Sequence, residues 1–152
     1  MTTPYALKAL LNLAQDRSDT AAAKLGRLNT QEQNAEQKLQ LLLEYQRDYH
    51  AHFQELSRNG LDQAEWLNFR AFMSKLDTAI AEQRKAVASS HNNVLAGRID
   101  WHAQQHKLKS FNTLSQRHRL AELHRASKLE QREQDEQTIK SRAHNKVSAE
   151  HE

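Results

Sequence analysis

Apolar residues recur along the chain at alternating steps of four and three. From Leu7 the steps visit Leu11, Ala14, Ser18, Ala21, Leu25, Leu28, Glu32, Ala35, Leu39, Leu42, Gln46, Tyr49, Phe53 and Leu56. Twelve of these fifteen positions are apolar or Tyr. A second run visits Trp66, Phe69, Met73, Leu76, Ile80, Gln83, Val87, Ser90, Val94, Gly97, Trp101, Gln104, Leu108 and Phe111, with ten of fourteen apolar. Both runs exceed the three to four heptads that separate a coiled coil from an ordinary amphipathic helix.

Local signals set the ends. Thr3 suits a cap and Pro4 the first helical position, where its missing N–H costs nothing. Asn59-Gly60 reads as a left-handed helix terminus, because no period-two alternation flanks it. Asp62-Gln63-Ala64-Glu65 resembles a capping box. The expectation is a single coiled-coil domain over 1–152. Helix one spans about 4–58, a turn 59–61 and helix two about 62–145, with a frayed C-terminal tail.

So tight a turn makes the helices antiparallel. Setting Leu56 against Trp66 makes opposed positions sum to a constant, 122. Ser18 then faces Gln104 and Glu32 faces Ser90, polar against polar. Ala21 faces Trp101 and Ala14 faces Leu108, small against large, and Phe53 faces Phe69. The competing arrangement pairs each helix with another chain; agreement between layers favours the intrachain hairpin. Beyond residue 115 the second helix has no intrachain partner, and Leu120 and Leu123 leave the seam. The expected fold class is therefore all-α: a long antiparallel two-helix coiled coil with an unpaired C-terminal helical overhang.

Composition narrows this further. Three Gly and one Pro in 152 residues leave too few turns for an all-β or multi-loop α/β fold. Hydrophobic residues make up 38%, below the ~45–50% of globular domains, which fits a narrow seam better than a layered core. The absence of Cys removes disulfides, thiolate catalysis and Cys-based zinc sites. Residues 1–15 lack a basic leader and Lys8 interrupts their apolar run, so no targeting segment is expected. No stretch reaches membrane-spanning length, and a cytosolic location is expected. A net charge of +3 does not by itself imply nucleic acid.

Candidate chemistry is sparse. His102 and His106 lie four apart on one helical face, with Asp16 and Asp19 the only suitable ligands opposite. Solvated surface histidines are the preferred reading, and no metal is expected. No phosphate loop, nucleophile–base pair or dinucleotide fingerprint occurs, and a two-helix rod lacks a concave pocket. No enzyme activity, cofactor or small-molecule substrate is expected.

The flanks of the seam say more. Near the hairpin end one edge reads His50, Arg70, Asp77 and Arg84, polar apart from Leu43. The other edge reads Tyr45, His52, Phe72, Ala79 and Ala86, with Leu42, Tyr49 and Leu76 beneath. Aromatics where charge is usual point to a docking patch or to a core widened at the hairpin end.

The run Leu39 to Tyr49, then Asn59-Gly60, then Trp66-Leu67-Asn68-Phe69 and Phe72 to Ile80, resembles the flagellar FliJ family. Chain length, the one-hairpin layout and the closing charged Asp135-Glu136 segment fit as well, so the resemblance covers nearly the whole chain. It implies a soluble, non-enzymatic component of the flagellar type III protein export apparatus. Such a protein would form a coiled coil similar to the stalk subunit of rotary ATPases. Implied partners are the export ATPase hexamer, the cytoplasmic domain of the membrane export-gate protein and the chaperones of flagellar substrates. The implied location is the cytoplasmic face of the inner membrane at the flagellar base. The positions that match the family's gate-binding surface are Leu42, Tyr45, Tyr49, Phe72, Leu76 and Ala79. In the tail the match is approximate; Arg117, Arg125, Arg132, Glu133, Asp135, Glu136 and Arg142 are the candidates for ATPase or chaperone contact.

Two other readings remain. One is the equivalent stalk of a virulence-type secretion system. The other is a nucleic-acid-binding helical arm, which calls for a Lys- or Arg-dominated stripe. Residues 116–152 instead hold eight Lys/Arg and seven Asp/Glu. That mixture suits a protein partner, and no nucleic acid is expected.

Overall fold

A computed structural model describes residues 4–151. The Thr3 capping expectation lies outside these residues. Two helices account for the fold: α1, Pro4–Arg58, and α2, Gln63–Ala149. No strand occurs among the described residues. The helix continues to Ala149, past the anticipated end near residue 145.

The chain divides into two compact units, Asp16–Gln105 and the pairing of Met1–Gln15 with His106–Glu152. The first contains the turn. Asn59 N–H donates to Leu56 O at 3.2 Å, and Gly60 takes φ +86°, a backbone conformation costly for any residue with a Cβ. Asp62 caps α2: its Oδ1 accepts the Glu65 N–H at 2.9 Å, and its carbonyl accepts the Trp66 N–H at 3.2 Å. One half of the capping box is thereby formed.

From the turn the helices run back antiparallel through this unit. Every predicted seam position of 16–105 is buried or half-buried except Leu56 and Trp66, the pair closest to the turn. Leu76, Ile80 and Val94 are buried on α2, and Ser18 and Ala21 on α1. Phe53 stacks on Phe69 with centroids 3.6 Å apart, as the register requires. At Gly97 the helices approach so closely that an added Cβ would lie 2.7 Å from Leu28 Cδ1.

The polar layers keep this register but form their hydrogen bonds one residue away from it. Ser18 accepts a hydrogen bond from Gln105 Nε2 at 3.0 Å, not from Gln104, which donates to Asp100 instead. Glu32 lies 3.2 Å from His91 Nδ1, the neighbour of Ser90. A polar side chain in a narrow seam finds its partner one residue outward, where the partner's stem stays solvated. This satisfies the buried Ser18 hydroxyl without burying a second polar head.

The second unit pairs residues 4–15 with the stretch from His106. Leu7 and Ala14 are buried, and Leu11, Leu108, Phe111, Ser115 and His118 half-buried. Beyond His118 every described residue is exposed, Leu120 and Leu123 included. Here α2 is helical without a covering partner.

Candidate functional site

Antiparallel pairing brings Tyr45 and Tyr49 of α1 beside Phe72 of α2. Tyr49 belongs to the seam and is held by aromatic contact on two sides. Its ring stacks on Phe69 with centroids 5.2 Å apart and meets Phe72 at 4.3 Å, tilted by 45°. Tyr45 and Phe72 lie outside the seam and stay 54% and 45% exposed. Together with Asp48 and His52 these rings line an open groove of about 400 Å³. Its wall is almost wholly hydrocarbon, with one carboxylate and one imidazole at hand.

Of the six residues singled out in the sequence, Tyr45, Tyr49 and Phe72 share this groove. Leu76, one turn along α2 from Phe72, is 7% exposed and supports the packing from the seam. Leu42 and Ala79 are half-buried and do not line the groove. His52 was placed on this edge by its heptad position. Asp48 was not, although Tyr45, Asp48, Tyr49 and His52 follow the i, i+3, i+4, i+7 spacing of one helical face. Phe72 leans on the seam residue Tyr49, and both Tyr45 and Phe72 keep about half of their surface exposed.

The opposite edge is polar. Gln46 Nε2 donates to Asp77 Oδ1 at 2.9 Å, and the Arg70 guanidinium lies 5.1 Å from the centroid of the Trp66 ring. A larger depression of about 820 Å³ lies along α1, lined by Gln33, Glu36, Gln37 and neighbouring residues of that one helix. A one-helix wall has no opposite side to enclose a ligand.

Arg117, Arg125, Arg132, Glu133, Asp135, Glu136 and Arg142 are all exposed on α2. His102 and His106 are likewise exposed, and His102 lies 5.0 Å from the Trp101 ring. No group of three or more metal-ligating side chains converges among the described residues, and no helix there is long and apolar enough to cross a membrane.

The family model described as "Flagellar FliJ protein" matches residues 3–147. A flagellar FliJ protein from Salmonella typhi is 29% identical over 131 residues, covering 86% of this chain and 89% of the relative. One from Escherichia coli (strain K12) is 28% identical over the same length and shares. With a seam of this regularity and a family match across nearly its whole length, the chain belongs to the flagellar FliJ protein family.

Proposed function

We propose that this chain is a non-enzymatic adaptor of the flagellar type III protein export apparatus, linking the export ATPase ring to the cytoplasmic domain of the membrane export gate. Membership of the flagellar FliJ family makes it a flagellar export component. The observation that carries the finer reading is the groove formed by Tyr45, Tyr49 and Phe72. A rigid aromatic floor costs little ordering entropy on binding, and Tyr and Phe supply large contact area. The groove fits an apolar side chain or short helix face on the gate. Leu42, Leu76 and Ala79 back it.

The ATPase hexamer is assigned to the unit made by residues 1–15 and 106–152. Six equivalent subunits can meet one asymmetric helix pair only through different faces. Broad, polar, individually weak contacts follow, and Arg117, Arg125, Arg132, Glu133, Asp135, Glu136 and Arg142 supply them. Substrate chaperones are assigned to the same exposed helix. The working location is cytoplasmic, peripheral to the inner membrane at the flagellar base.

Calorimetric titration with the gate's cytoplasmic domain tests the groove. Tyr45→Ala or Phe72→Ala should weaken binding about 30-fold, the loss typical of a hot-spot truncation of ~2 kcal/mol. Thermal melting should hardly move. A large fall in melting with unchanged affinity for the gate would make both residues core and remove the groove from the account.

A further inference from the structure

Counted along the chain, the charges after residue 115 nearly balance; wound into a helix they separate. At ~100° per residue, Arg117, Arg125, Lys128, Arg132, Arg142 and Lys146 fall within an arc of roughly 100°. Asp135 and Glu150 are the carboxylates in that arc. Glu122, Glu130 and Glu133 lie outside it, with Arg119 and Lys140, and Glu136 borders the arc about 20° from Arg125. All six stripe cations are exposed, and among the described residues neither an ion pair nor a hydrogen bond engages any of their side chains. At ~1.5 Å per residue the stripe runs roughly 44 Å along the helix.

We propose that this basic face lies against the anionic phospholipid surface of a membrane. Three observations choose that occupant. First, no Phe, Tyr or Trp follows Phe111, so the stripe lacks both the anchors of a tight protein interface and the stacking platforms of single-stranded nucleic acid. Second, the positions continuing the heptad are Glu122, Arg125, Leu129, Arg132, Glu136 and Ile139, too polar for pairing with another helix, a second copy included. Third, a straight stripe of this length meets a flat surface throughout, whereas a duplex groove turns away from it. A bilayer carrying anionic headgroups is flat, diffuse in its charge and attractive to each cation held near it. Ile139, 67% exposed within the arc, is the only large apolar side chain there between Arg117 and Lys146, so the contact is electrostatic and reversible, without insertion. The gate assignment does not depend on it; Arg117, Arg125, Arg132 and Arg142 are shared with the ATPase assignment, so a chain held on the bilayer by this face is one not engaged through it with the ATPase.

Vesicle co-sedimentation of the full-length protein tests this. Vesicles of phosphatidylcholine alone are compared with vesicles in which about one-third is phosphatidylglycerol, a composition that supplies the anionic surface the stripe requires. Binding should require phosphatidylglycerol and weaken steeply as salt shortens the screening length. Lys128→Glu with Lys146→Glu should lower the partition coefficient about tenfold or more. Arg119→Glu with Lys140→Glu, which removes the same charge from the other side, should leave it within about twofold, since cations facing away from the bilayer gain little. Lys128→Gln with Lys146→Gln, checked by circular dichroism, covers any loss of helix in the charge reversals. Binding without preference for phosphatidylglycerol would overturn the proposal, as would equal losses from the two pairs. Stronger binding to a DNA duplex than to vesicles at the same salt would assign the stripe to nucleic acid instead.

Discussion

The Glu32 carboxylate lies 3.2 Å from His91 Nδ1 across the helix pair, and it is the middle rung of a regular ladder. Ser18 with Gln105 at 3.0 Å and Gln46 with Asp77 at 2.9 Å are the other two. On α1 the rungs stand fourteen residues apart; on α2 they descend by the same step. Two heptads separate each rung from the next, so the three polar seam positions of α1 all meet the same flank of α2. Gln83 adds a fourth cross-link, donating its Nε2 proton to the Ala35 carbonyl at 2.9 Å. Polar groups in a coiled-coil seam cost stability and fix register, because sliding either helix by one heptad breaks all three pairs and puts Arg70, Arg84, Arg98 or Asn112 in place of the present partners.

Replacing Glu32 and Gln46 together with Leu should therefore stabilise the pair against denaturant by about 1 kcal/mol or more while loosening its register. Spin labels at Glu36 and Glu82 read the register directly. The native chain should give one narrow distance and the double variant a broader or divided one. A single unchanged distance would show that the apolar layers alone set the register.

The aromatic residues near the turn divide by role. Phe53→Ala or Phe69→Ala removes the face-to-face stack at 3.6 Å and should cost about 2–3 kcal/mol, less than a fully buried Phe because both are half-buried. Phe72→Ala should cost well under half of that. Chemical denaturation of the three variants checks the order.

The seam was legible at the level of single residues because a 4,3 repeat admits one phase: shifting it by one residue puts Arg and Glu inside. The turn was legible because Gly60 and Asp62 each have a local reason to be there. The polar partners of Ser18 and Glu32 stand one position from the residues that the register sets opposite them. Layer matching treats residues as points on an axis, whereas Gln105 and His91 reach the seam along side chains several bonds long. Asp48 was missed at the groove for a related reason, since its heptad position faces away from the seam and only its helical neighbours Tyr45 and His52 place it. The charge segregation on α2 was hidden because counting along a chain ignores the angle at which each residue emerges.

Two glycines give opposite expectations. An added Cβ at Gly26 meets nothing within 4 Å, so Gly26→Ala should stabilise by about 0.5–1 kcal/mol through helix propensity alone. At Gly97 the same propensity gain is offset by the Leu28 methyl 2.7 Å away. Gly97→Ala should be near neutral and Gly97→Leu should cost about 2 kcal/mol or more. Melting curves of the three variants read this out. Stabilisation by Gly97→Leu would mean that the helices do not approach closely there.

Deleting residues 118–152 removes the half-buried His118 and the exposed stretch beyond it and should leave the paired helices folded. Helical signal should fall in proportion to the residues lost, with melting changed little. Stimulation of the export ATPase should be abolished, and its binding by the intact chain should weaken sharply from low to moderate salt. Normal stimulation by the truncated chain, with loss on mutating the 59–61 turn, would reverse the assignment of the two ends.

Site-specific photo-cross-linking in cells tests the central claim most directly. A photoreactive phenylalanine analogue is placed in turn at Tyr45, at Phe72 and at Gln37, which is exposed outside the groove. Positions 45 and 72 should yield a covalent adduct with the gate's cytoplasmic domain, and position 37 should not. Adducts with the gate from position 37 or from Arg125 and Arg132, with none from 45 or 72, would contradict the groove as the gate-docking surface.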